Sequence, residues 1–112
     1  MFMRLYTGDD GKTRFEEIKV CAGNEPETMI LKAGAQARFH TSPEGYFNDW
    51  HISHGRQILV HLQGKTEVGV GDGTVLTFGP GDAMLEEDLT GTGHTGRVVE
   101  GPRLQISVPL PD

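Results

Sequence analysis

The chain has 112 residues, 36% of them hydrophobic, and a formal net charge of −6. That is one domain's worth of chain, able to bury a single core with little to spare; it carries no basic stripe or run, which argues against nucleic acid and an anionic membrane surface as partners. The lone cysteine, Cys21, excludes an internal disulfide and fits a reducing compartment; with no signal-type N-terminal segment and no apolar run of about 18 residues, the expected address is the cytoplasm.

Glycine and proline are spread along the chain, the punctuation of many short strands. Residues 2–6 read as an edge strand, and Gly8-Asp9-Asp10-Gly11 as a turn, because Asp bonds its local backbone and Gly supplies positive φ. Residues 14–20 form a second strand, and Gly23-Asn24-Glu25-Pro26 a loop. Strands are expected at 28–32 and 36–41 around Ala33-Gly34, before Ser42-Pro43-Glu44-Gly45 breaks the pattern. The clearest strand is 56–62, with Gln63-Gly64-Lys65 as its turn and 66–70 as the return. Gly71-Asp72-Gly73 is a tight hairpin signal, followed by strands at 74–78 and 83–87 around Gly79-Pro80-Gly81-Asp82. The last two strands are 94–99 and 103–108, split at Gly101-Pro102. No helical period is present, so the pattern predicts an all-β sandwich or barrel.

Residues two apart on a strand share a face. Ile58, Val60 and Leu62 therefore make a clean apolar face suited to sheet packing, opposite Gln57, Leu59 and His61. The second set has to meet a cavity, water or a satisfied hydrogen-bond network.

Ligand-type side chains concentrate in two blocks. One runs Gly45-Tyr46-Phe47-Asn48-Asp49-Trp50-His51, then Arg56-Gln57 up to Gly64. The other runs Phe78-Gly79-Pro80-Gly81-Asp82, then from Glu87 to His94. Together they resemble the motifs of the cupins, small jelly-roll β-barrels, and especially a subgroup of short bacterial single-domain members. The resemblance covers about residues 36–108, with residues 1–35 as an N-terminal strand extension of the same single domain. It implies an all-β, single-domain cupin-type jelly-roll β-barrel with its site inside. Two motif positions depart from the metal-binding pattern: Asp49 stands where a histidine belongs and Gln57 where a glutamate belongs. The spacing from His51 to Gln57 is also long, so a bulge or loop has to re-aim His51.

On this resemblance His51, Glu87 and His94 are the expected catalytic residues, and His51, Gln57 and His94 the expected ligands of a divalent manganese, iron, nickel or zinc ion. An imidazole suits either role because it titrates at roughly 6.5. A carboxamide is a weak ligand for a transition metal, and Gln57 equally suits a substrate carbonyl or hydroxyl. Tyr46 and Trp50 are expected to wall the pocket or to cap the barrel end. Arg56 is expected to clamp a carboxylate or to pair with Asp49. Glu86, Glu87 and Asp88 form an acidic cluster in which Glu86 and Asp88 share a face; Glu87 is preferred because it matches the subgroup's glutamate. His61 reads as a core histidine, and His40 and His54 as surface or structural ones.

Three functions follow as expectations. The first is an enzyme of lyase, isomerase or dehydratase type, acting on a small organic acid or carbonyl compound through His/Glu acid–base chemistry, with a metal available as Lewis acid. The second is a non-catalytic module that senses or carries a small ligand. The third is a structural homodimer joined through an edge strand or the Ile58/Val60/Leu62 face. The expected partners are a small molecule and a second copy of the chain.

Overall fold

The computed structural model describes residues 1–19 and 25–111, so Cys21 and the first half of the Gly23–Pro26 loop lie outside the described residues. Among them are eight strands: β1 (Phe2–Thr7), β2 (Thr13–Glu17), β3 (Arg38–Ser42), β4 (Phe47–His51), β5 (Gln57–Gly69), β6 (Val75–Phe78), β7 (Ala83–Glu87) and β8 (His94–Pro109). No helix there is long and apolar enough to cross a membrane.

Local chemistry sets the short turns. In the β1–β2 turn, Asp10 Oδ1 accepts from the Lys12 N–H at 3.1 Å. In the β5–β6 turn, Asp72 Oδ1 accepts from the Thr74 N–H at 2.9 Å. Both are the local side-chain bonds that favour Asp in turns.

Two turn signals give way to long-range pairing. Gln63-Gly64-Lys65 does not reverse the chain; β5 runs straight through it, with register shifts against β8 between His61 and Thr66. Such shifts mark bulges, which bend a strand. Gly64 absorbs the bend at φ +78°, and a side chain there would strike the Glu100 carbonyl oxygen at 2.6 Å. Gly101-Pro102 likewise interrupts nothing, because β8 continues across it opposite the β5 bulges. Residues 28–32, expected as a strand, form none; the Gly34 N–H donates instead to the Pro109 carbonyl at 2.7 Å.

The strands join in the order β2-β1-β7-β5-β8-β3, with β4 also on β8 and β6 also on β5. All ladders are antiparallel except β1–β7. This mixed eight-stranded sheet is open. β2 and β3 stand at its two ends and no ladder joins them. The expected closed cupin-type jelly-roll barrel is therefore not formed. Closure needs every edge paired, whereas the long β5–β8 pair branches: β5 carries β7 at one end and β6 at the other, and β8 carries β3 and β4 in the same way.

The core gathers Leu5, Leu59, Val68, Val70, Phe78 and Met84, with Phe15 and Leu76 packed against it. The faces of β5 are the reverse of the apolar expectation. Leu59 and His61 are buried, while Leu62 is 43% exposed and Ile58 and Val60 are only half-buried. His61 is a core histidine, stacked on Phe78 with ring centres 5.7 Å apart.

Candidate functional site

The register of β5 against β7 sets Gln57 opposite Glu86. Alternation then carries Asp88, just beyond β7, to the same side, where both carboxylates meet His94 at the start of β8. His94 donates from Nδ1 to Asp88 Oδ2 at 2.6 Å and from Nε2 to Glu86 Oε2 at 3.2 Å. All three are at least 95% buried. Burial opposes charge on the imidazole, but the two carboxylates overcome it and raise the His94 pKa to about 9. Burial likewise favours neutral Glu86, yet the His94 hydrogen bond and charge, followed by the Gln57 amide, hold its pKa below the ordinary value. Gln57 Nε2 donates to Glu86 Oε1 at 2.7 Å, and Thr13 Oγ1 donates to Asp88 Oδ2 at 3.0 Å.

His51 ends β4 directly across from His94, after a register shift that starts at Asn48. The irregularity lies before His51, while the long spacing from His51 to Gln57 falls in the connection between β4 and β5. Gly93 permits the approach at φ +77°, because any side chain there would collide with the His51 carbonyl. The two imidazole centres lie 4.4 Å apart. His51 Nδ1 lies 2.8 Å from the Asp49 carbonyl oxygen. A carbonyl only accepts, so Nδ1 carries a proton, and in the neutral ring the lone pair is on Nε2.

Two adjoining pockets open here, of about 420 and about 480 Å³, and His40, His51, Gln57 and Glu86 line both. The first continues past Tyr46 to Arg103, Gln105 and Ser107; the second runs towards Arg56 and Pro109. These are clefts on the open sheet, so the site lies in no barrel interior.

The structure thus brings His51, Gln57 and His94 together and adds Tyr46 to one cleft and Arg56 to the other. It leaves two expected residues out. Trp50 is 53% exposed and lines neither cleft. Glu87 points to the opposite face of β7, where Arg4 Nε and Arg56 Nε each donate to it at 2.6 Å. Glu86 takes the place proposed for Glu87, because neighbours on a strand alternate. Arg56 therefore pairs with Glu87 rather than Asp49.

The metal expectation does not fit the donors. A ligand nitrogen must offer a lone pair, and both His94 nitrogens are spent on carboxylates. Among the described residues no group of three or more His, Cys, Asp or Glu side chains could hold a metal ion.

Sequence reasoning missed the floor of the first cleft. Arg103, Gln105 and Ser107 are all buried and alternate with the half-buried Leu104, Ile106 and Val108. That period-two polar run mirrors Gln57 and His61 on β5 and was the available signal. His40, read as surface or structural, is indeed exposed; it also bonds Ser107 Oγ through Nε2 at 2.9 Å and lines both clefts.

No family model matches the chain, and no curated protein matches it. Solved structures do. The crystal structure of protein NMB1881 from Neisseria meningitidis superposes with a TM-score of 0.52 at 19% identity, covering 77% of this chain and 89% of that one. The conserved SPY1581 protein of unknown function from Streptococcus pyogenes gives 0.50 at 16% identity, covering 80% and 94%. At these identities the likeness is one of fold alone. With an open sheet, no matching family model and no metal-ligand cluster among the described residues, the cupin assignment drawn from the motifs is overturned, and the barrel-interior, metal-assisted function with it.

Proposed function

We propose that the paired clefts bind a small polar molecule and that His51 Nε2 is the group that meets it. The observation behind this reading is that His51 lines both clefts while its Nδ1 is tied to the Asp49 carbonyl, which leaves the lone pair of the neutral ring on Nε2. A lone pair held in one orientation is ready to accept a hydrogen bond, or a proton from a bound molecule. The neighbouring Glu86, Asp88 and His94 suit the second role. The His94 ring lies 4.4 Å from that of His51 and is itself bonded to both carboxylates, so an acid–base network adjoins the proposed base. Catalysis with His51 as base is therefore part of the proposal, located on the sheet face. A cytoplasmic address and a homodimer, expected from the sequence, complete it; sedimentation in solution measures the second.

A fragment screen by NMR on isotope-labelled protein tests the reading. Polar fragments are expected to shift His40, His51 and Gln57 saturably, and His51→Asn to weaken them about tenfold, the effect of one well-placed hydrogen bond. Shifts clustered elsewhere, or an unchanged affinity in the variant, would remove His51 from the site.

A further inference from the structure

The first cleft ends on a buried cation that no carboxylate among the described residues neutralises. Arg103 is 8% exposed. Its Nη1 donates to Thr66 Oγ1 at 3.1 Å and its Nη2 to Ser42 Oγ at 3.2 Å, both neutral hydroxyls. Its Nε is buried with no hydrogen-bond partner among the described residues. Among the described residues no carboxylate forms an ion pair with it. A guanidinium has five N–H donors and stays charged in proteins, and burying such a charge without a counter-ion is costly. Burial accordingly pushes the Arg103 pKa down, with the Tyr46 phenol as the opposing influence.

The shortfall extends to its neighbours. Gln105, the next residue on that face of β8, lies with Nε2 3.1 Å from His61 Nε2. His61 Nδ1 is a second buried nitrogen without a partner. The His61 pKa is lowered, first by burial and then by the Arg103 charge, so His61 adds no second cation. Arg103 and Gln105 both line the cleft, beside Ser42 and Tyr46.

We propose that the Arg103 end of the cleft is a carboxylate subsite, in which the acid group of a small molecule lies against the guanidinium while the rest reaches towards His51 and Gln57. The subsite rests on the reading of the clefts as a small-molecule site and names the chemical class it takes. A carboxylate supplies the missing negative charge and two acceptor oxygens in the plane a guanidinium prefers. The hydroxyls of Ser42 and Tyr46 and the Gln105 amide add donors for the same group.

The test is an NMR titration of labelled protein with acetate, malonate and succinate, with the matching neutral amides, and with inorganic phosphate. The carboxylates are expected to move the Arg103 Nε–H and Gln105 amide signals saturably. Arg103→Gln should weaken them about tenfold and leave the amides within about twofold, since only the charge-assisted contact is lost. Arg103→Lys keeps the charge without the fork and should recover part of the affinity; it also carries the test if Arg103→Gln does not fold. Carboxylate affinity indifferent to both variants overturns the subsite. So does phosphate binding at Arg103 where the carboxylates do not. Amides that shift His51 and Gln57 as strongly as the acids would leave the cleft standing without its acid subsite. Probes that shift no lining residue would overturn both.

Discussion

Two buried cations stand along one cleft, and the protein treats them in opposite ways. His94 is held between Asp88 and Glu86 and carries its proton because of them. Arg103 has two hydroxyls and an unpartnered Nε. The first charge is answered inside the fold, which makes it part of the framework that positions Glu86 and faces His51. The second is left open, and an open buried charge is capacity for something that binds. Burial alone does not separate a structural cation from a binding one, since both are more than 90% buried; the partner inventory does.

The largest expected effect tests the first half of that contrast. His94→Ala leaves two buried carboxylates side by side without their counter-charge, and should cost about 3–5 kcal/mol in chemical denaturation. Arg103→Met removes an uncompensated charge and keeps the stem's packing, so it should stay within about 1 kcal/mol of the parent. Equal losses in the two variants would erase the distinction.

Next in size is the pH dependence. The folded His94 pKa is raised to about 9, above its unfolded value. Its contribution is therefore fully present below pH ~6.5 and is lost as pH rises through about 9, amounting to about 3 kcal/mol. Glu86 has the opposite sign: its pKa is lowered, so its contribution is present above pH ~4.5 and is lost as pH falls through the folded value. Thermal unfolding followed across pH should show the alkaline loss in the parent and none of it in His94→Ala. Loss of the same size in both would mean that another group governs the alkaline limb.

These residues were unequally legible. The turns at Gly8–Gly11 and Gly71–Gly73 were readable because Asp and Gly act within a few residues of themselves. Whether the sheet closes was not, because closure depends on whether strands far apart in sequence find one another. The same competition hid the continuity of β5 and β8: at Gly64 and at Gly101-Pro102 a local turn signal lost to a ladder running past it on both sides. At the site, His51, Gln57 and His94 were legible from the motif blocks, but those blocks also pointed to Glu87. The choice between Glu86 and Glu87 is one of strand parity, set by the register of β5 against β7. Arg103 was missed for a different reason. A single arginine reads as surface; the period-two polar run it shares with Gln105 and Ser107 was the signal, but only their burial shows that this face of β8 points inward.

The smallest effects separate the two adjacent glutamates. Glu87 is partly exposed and holds Arg4 and Arg56 on the far face, so Glu87→Gln should cost no more than about 1 kcal/mol, the ordinary worth of such pairs. It should also leave the His94 titration where it is. Glu86→Gln removes one of the two carboxylates that keep His94 charged, and His94, followed by NMR, should then titrate below about 9. Because Glu86 also takes the Gln57 amide, the same change replaces a charged acceptor with a neutral one, which should loosen Gln57 and alter the affinity of any ligand that meets it. A His94 titration that responds to Glu87→Gln, and not to Glu86→Gln, would mean that the parity of β7 is reversed, and with it the side of the sheet on which the site lies.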